Sequence, residues 1–220
     1  MISNHDRSGY IGASDTKYVI GNWSTKTFEK WWLKKLGLET KRFNNKYTSA
    51  GTNFEHKIID ALGISDIEKD KQIIIGKLRV NLDANTKDKI HEIKTYNYER
   101  GFDLNHHKDY IYQVQVQMYA SGIHDAEIDA YGLLEKDYDN YFNEINKERL
   151  SIHPIEYDEK WIEEEYLPKE QYLEKCLVDG TFPNKEDFEL RRQNNAEWKD
   201  GKLFGNIETI SRRKRIHANS

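Results

Sequence analysis

The chain has 220 residues and a mass of 26.1 kDa, with 33% charged, 37% hydrophobic and 12% aromatic residues, which is too aromatic for a disordered chain and long enough for one sizeable core. No apolar run approaches the ~18–20 residues a membrane span needs, Met1–Gly9 has no apolar signal region, and Cys176 is the single cysteine. An intramolecular disulfide, a multi-cysteine zinc site and a four-cysteine cluster are therefore excluded, and a reducing cytosol is the expected compartment. The net charge of −4 and pI of about 6.1 speak against a broadly basic nucleic-acid surface, but a carboxylate-rich metal site lowers charge locally. The run Arg212–Arg215 reads as a solvated tail or as a DNA clamp.

In chain order, Ser14 is placed to cap a short helix ending at Gly21. A second helix starts near Thr25 or Thr27 and carries Phe28, Trp31, Trp32 and Leu36 on one face before Gly37. A third covers about Ala50–Leu62, with Phe54 and Ile58 inward and Gly63 as terminator. The period then changes to two, so Lys71–Gly76, Lys77–Ala84 and Lys89–Tyr96 are expected as strands, with a turn over residues 85–88. A helix over His106–Gly122, strands over Glu127–Leu134 and Asn146–His153, and a long acidic helix over Asp158–Val178, irregular around Pro168, follow. From Pro183 onward the pattern assigns no element. The expected architecture is α/β (α+β), a mixed central sheet flanked by helices, with one domain over residues 1–182 and an extension over 183–220.

The chemistry concentrates in the strand meander. Glu92 and Lys94 are two apart in an alternating strand, so both leave on one face. Their neighbours are β-branched, and a half-buried carboxylate and ammonium are costly unless paired or used. Asp83 ends the preceding strand. A hairpin pairing Asp83 near Glu92 brings two carboxylates and an ammonium together, a hard oxygen site suited to Mg²⁺ or Mn²⁺, with the Ile93 carbonyl as a further ligand. Such a site can activate water and stabilise charge on a phosphodiester. An acid two before a lysine also occurs at Asp15, Glu39, Glu55, Asp158, Glu197 and Asp200. Only at Glu92 does it sit inside an alternating strand that follows a strand ending in aspartate.

Two further segments join this set. Gln115 and Tyr119 share a helix face at i, i+4 about twenty residues after the acid-x-Lys strand, and Gly51-Thr52-Asn53-Phe54-Glu55 places Glu55 on the helix before the strands. His106-His107 reads as a surface pair, for want of a third ligand at suitable spacing, and Trp23, Trp31 and Trp32 read as core residues ahead of base-stacking ones.

In this order, Arg7 with Gly12-Ala13-Ser14-Asp15, then Gly51 to Glu55, Asp83, Glu92-Ile93-Lys94 and Tyr112 to Gln115, the chain resembles the PD-(D/E)XK nuclease superfamily, and within it the lambda exonuclease/YqaJ-like viral recombinase family. Leu82 stands where the superfamily's name has proline. The resemblance implies a restriction-endonuclease-like core and Mg²⁺-dependent (or Mn²⁺-dependent) 5′→3′ digestion of one strand at double-stranded DNA ends, leaving 3′ single-stranded tails for recombination. It implies metal held by Asp83, Glu92 and the Ile93 carbonyl with support from Glu55, water positioned by Lys94, the scissile region anchored by Gln115, and a 5′-phosphate held by Arg7 and Ser14. Ser14 as a plain helix cap and Arg7 as a terminal residue without a partner remain the alternative for that last pair. The resemblance also implies phage or prophage origin, a single-strand annealing protein as partner and a ring-shaped trimer. A sequence-specific endonuclease of the same superfamily and a non-catalytic DNA-binding module are the competing readings.

Overall fold

The structure is a computed structural model that describes residues 7–39 and 45–200, with side chains up to residue 193. The Arg212–Arg215 run lies outside the described residues. The elements are β1 (Ile11–Gly12), a 3₁₀ turn (Ala13–Asp15), α1 (Thr16–Val19), α2 (Lys26–Lys35), α3 (Lys46–Leu62), β2 (Glu68–Ile75), β3 (Leu78–Asn85), β4 (Ile90–Asn97), α4 (Lys108–Ser121), β5 (Asp125–Leu133), α5 (Glu135–Asp139), β6 (Leu150–Glu156), α6 (Glu159–Trp161), α7 (Leu167–Asp179) and α8 (Lys185–Asp200).

Local chemistry sets the helix ends. Thr25 caps α2, its hydroxyl accepting the Phe28 N–H at 3.1 Å. α3 begins at Lys46, four residues ahead of the sequence expectation. Asn45 Oδ1 takes the N–H groups of Tyr47 and Thr48, and Thr48 Oγ1 takes the Asn45 N–H in return. Gly63 closes α3 at φ 70°, a left-handed conformation that glycine adopts without a Cβ clash. The acidic segment after Asp158 passes from α6 through a π-turn at Ile162–Tyr166 into α7. Pro168, which has no N–H to donate, sits just beyond that wide turn.

The sheet is mixed and runs β1-β3-β4-β5-β6, with β2 paired to β3. β2 covers one edge of β3 from Leu78 to Asn85. The opposite edge is shared. β1 pairs with it in parallel at Leu78 and Arg79, and β4 pairs antiparallel only at Ala84 and Asn85. Between these two contacts, residues 80–83 of β3 have no strand neighbour on that side among the described residues. β4 and β5 are parallel over Ile90–Asn97, and β5 and β6 antiparallel.

Two apolar layers sandwich the sheet. Val80, Leu82, Ile90 and Ile128 pack with Trp32, Val114, Tyr166 and Leu173. On the other layer, Ala84, Ile93, Tyr131 and Leu133 pack with Phe54 and Ile58 of α3. Trp31 and Trp32 serve this core. Trp32 is fully buried, with its indole N–H on the Thr181 carbonyl, and Trp31 donates to Asp15 Oδ1.

Within the segment after Pro183, which the sequence leaves without an element, Lys185–Asp200 forms α8. Phe188 is buried against the rings of Trp23 and Tyr172, at centroid distances of 5.3 and 5.4 Å. Among the described residues no helix is long and apolar enough to cross a membrane.

Candidate active site

The gap between β3 and β4 is where the acidic residues meet. Continuing the Ala84–His91 pairing by one step sets Asp83 opposite Glu92. No ladder bond forms there. The Asp83 carboxylate accepts the Ile93 N–H at 2.9 Å instead, so a side chain satisfies a backbone donor that the diverging strands leave open. The Asn81 carbonyl is satisfied likewise, by the side-chain amide of Gln117 at 3.0 Å.

Glu92 is almost completely buried. Its Oε1 accepts Lys94 Nζ at 2.6 Å and Gln113 Nε2 at 2.5 Å, and its Oε2 accepts Gln117 Nε2 at 2.5 Å. Lys94 also donates to Gln113 Oε1 at 3.2 Å and lies 4.8 Å from the centre of the Tyr110 ring. Tyr110, Gln113 and Gln117 lie three and four apart on α4, so one stripe of that helix faces the Glu92–Lys94 pair.

Glu55 approaches from α3. Gly51, one turn earlier, lets that helix close on β4, since a Cβ there would stand 3.2 Å from Thr95 Oγ1. Glu55 also groups with His56 and Asp70, each offering a ligand atom within 4.8 Å of the others.

Carboxyl groups outnumber the ammonium at this site. Burial, followed by the neighbouring Glu92 and Glu55 carboxylates, pushes the Asp83 carboxyl well above the usual carboxylate range. Burial and then Glu92 push Glu55 up. Burial opposes charge on Lys94 as well, but the Glu92 and Asp83 carboxylates outweigh it and hold the ammonium above its ordinary value. Three acids thus face one ammonium in a partly dry pocket. A surplus of hard oxygen donors, with two carboxyls raised by burial and then by their carboxylate neighbours, fits a divalent cation.

Gln115 does not join this set. It is buried on another side of α4, where its amide donates to the Glu156 carbonyl at 2.6 Å and its oxygen accepts the Asp158 N–H at 2.8 Å. It ties α4 to the exit of β6, and the glutamines that touch Glu92 are Gln113 and Gln117. The signal for them lay in the sequence, since 113 and 117 are one helical turn apart whereas 115 points about 200° away from 113.

Ser14 lies exposed inside the 3₁₀ turn and does not cap it. Gly12 holds the N-cap position, with Asp15 Oδ2 accepting the Gly12 N–H at 2.8 Å. Asp15 is in turn paired with Lys35 at 2.5 Å. Arg7 is exposed. His106 is exposed beside Asp103, and His107 stacks between Phe102 and Tyr110.

No protein-family profile and no curated protein sequence matches the chain. Solved structures do. An alkaline exonuclease from Laribacter hongkongensis, LHK-Exo, is 16% identical with a TM-score of 0.58, over 87% of this chain and 95% of the other. The same enzyme in complex with dAMP gives 17% and 0.60 over the same shares. A phage-related exonuclease from Haemophilus somnus 129PT is 17% identical with a TM-score of 0.55, over 78% of this chain and 96% of the other. The chain has the fold of these exonucleases. It is the fold that the sequence resemblance implies, and the match to LHK-Exo extends across most of both chains.

Proposed function

We propose that the chain is a metal-dependent deoxyribonuclease that digests double-stranded DNA from its ends. One observation carries the reading. Asp83, Glu92 and Lys94 meet at a break in the sheet of an exonuclease fold, with Glu55 alongside and three carboxyl groups to one ammonium. A Mg²⁺ ion held there by Asp83, Glu92 and the Ile93 carbonyl, with Mn²⁺ as a substitute, would neutralise charge on the phosphoryl oxygens and lower the pKa of attacking water.

The chain's own residues do the rest. The Lys94 ammonium, kept charged by its two carboxylates, cannot act as a base, so it serves as a donor that orients water and the phosphodiester oxygens. Water oxygen bonds to phosphorus as the P–O3′ bond breaks; the attacking water releases a proton to solvent, and the leaving 3′ oxygen takes one up from solvent. Gln113 and Gln117 fix both oxygens of Glu92, leaving that carboxylate one orientation. Glu55 adds a carboxyl group beside the site, a further oxygen that would support the ion.

The finer reading follows the resemblance: 5′→3′ polarity, 3′ single-stranded tails, a terminal 5′-phosphate held by Arg7 and Ser14, an annealing protein as partner and a ring trimer. Exposure of both Arg7 and Ser14 suits the phosphate role. The test is incubation with linear and covalently closed plasmid in Mg²⁺. Loss of the linear form with closed circles intact supports the reading, cutting of both forms makes the protein an endonuclease, and degradation of neither removes the enzymatic proposal.

A further inference from the structure

β4 carries a second polar set on the face opposite Glu92. His91 is 2% exposed, Glu127 8% and Asp129 0%. Glu127 and Asp129 are two apart on β5 and share a face. The parallel register sets His91 opposite Glu127 and Ile93 opposite Asp129, so the backbone ladder fixes the three side chains before any ligand arrives. His91 Nδ1 lies 3.1 Å from Asp129 Oδ2 and 3.2 Å from Glu127 Oε1. Each of the three offers a ligand atom within 4.8 Å of the others.

An ordinary ion triad does not satisfy this arrangement. Nδ1 carries at most one proton, and two carboxylates compete for it. Lys89 relieves Glu127, its ammonium 2.9 Å from Oε2, and also lies 3.6 Å from Asp125. Asp129 has His91 at its Oδ2 alone, and its Oδ1 is buried without a hydrogen-bond partner among the described residues. An unpartnered carboxylate oxygen in a dry pocket is costly. Burial pushes this carboxyl up even with His91 beside it.

We infer that His91, Glu127 and Asp129 form a structural site for a divalent transition metal of the zinc class, separate from the Asp83–Glu92 site. One imidazole nitrogen and two carboxylate oxygens are a ligand set zinc accepts, and the two carboxylates balance its charge. Metal–ligand bonds of ~2.0–2.1 Å in tetrahedral geometry need ligand atoms ~3.3–3.5 Å apart. The observed 3.1 and 3.2 Å separations lie within a few tenths of that. Asp129 Oδ1 supplies a further donor. The ion pins β4 to β5 at the residue next to Glu92, bracing the strand that carries Glu92 and Lys94. This inference rests on the back-face geometry and stands whether or not the protein degrades DNA.

Two measurements test it. Crystals of the full wild-type chain soaked in Zn²⁺ are examined at the zinc absorption edge. An anomalous peak between His91, Glu127 and Asp129 supports the site, and its absence there, whatever sites appear elsewhere, overturns it. In solution, the Glu55→Ala/Asp83→Ala chain, stripped with EDTA, is titrated with Zn²⁺ by calorimetry, so that the front-face carboxylates do not contribute. We expect one retained binding event that weakens about tenfold or more when Asp129→Asn or His91→Gln is added. No retained event, or an event unchanged by both substitutions in variants that keep the wild-type circular dichroism spectrum, contradicts the site. The diffraction result decides the matter should the variants fail to fold.

Discussion

Asp83 and Ile93 are joined across a break in the sheet, the carboxylate of one accepting the N–H of the other at 2.9 Å where β3 and β4 make no ladder bond. The aspartate thus has two duties, one structural and one electrostatic, and they separate on mutation. Asp83→Asn keeps an oxygen to accept the Ile93 N–H and removes a carboxyl that burial, and then Glu92 and Glu55, make costly to ionise. We expect this variant to melt higher than wild type in EDTA, yet to lose nuclease activity by about 10²-fold or more. Asp83→Ala should lose activity as well and also melt lower than Asp83→Asn, because the Ile93 N–H is left unpaired at a cost of about 1–3 kcal/mol. Differential scanning fluorimetry beside a DNA digestion assay reads both effects.

The glutamines of α4 divide into two kinds. Gln113→Ala frees Glu92 and Lys94 from one restraint, so activity should fall about tenfold or more with little change in stability. Gln115→Ala leaves the Glu156 carbonyl and the Asp158 N–H without partners. It should cost about 1–3 kcal/mol of stability while activity per folded molecule stays near wild type. Urea denaturation and initial rates on the same preparations separate the two; the reverse pattern would return Gln115 to the site.

The period-two alternation of β4 was enough to put Glu92 and Lys94 on one face, and an aspartate before the turn was enough to bring in Asp83. The resemblance assigns Gln115 to the site, but a helix advances about 100° per residue, and Gln115 points away from the sheet opening while Gln113 and Gln117 face it. The divergence of β3 from β4 leaves no local trace, since it depends on β1 and β4 sharing one edge of β3. α8 was illegible for a similar reason. Its burial depends on Phe188 meeting Trp23 across more than 160 residues of chain, while its neighbours are polar. The cluster at His91 lies on the face of β4 that the acid-x-Lys pattern directs attention away from.

Stability should depend on pH and metal together. Asp83 and Glu55 both have folded values raised above the unfolded ones of ~3.9 and ~4.3. Such groups favour the folded state most below the unfolded pKa, and that contribution is lost as pH rises through the folded pKa. In EDTA the part of the melting temperature due to this site should therefore decline from about pH 4 upward. Mg²⁺ competes with those protons, so its stabilising increment should grow over the same range. An increment that is flat with pH would show that the ion binds elsewhere.

The C-terminal helix is part of the core through Phe188. Phe188→Ala should cost about 3 kcal/mol and lower the melting temperature without changing the rate of DNA digestion expected per folded molecule. Calorimetry and initial rates at low temperature check this.

The central claim is that Lys94, held by Glu92, serves phosphodiester hydrolysis at a metal site. Release of acid-soluble nucleotides from linear duplex DNA in Mg²⁺ should be seen with the wild-type chain and abolished by Lys94→Ala, with DNA binding by gel shift in Ca²⁺ preserved. Digestion by Lys94→Ala at the wild-type rate would contradict the account.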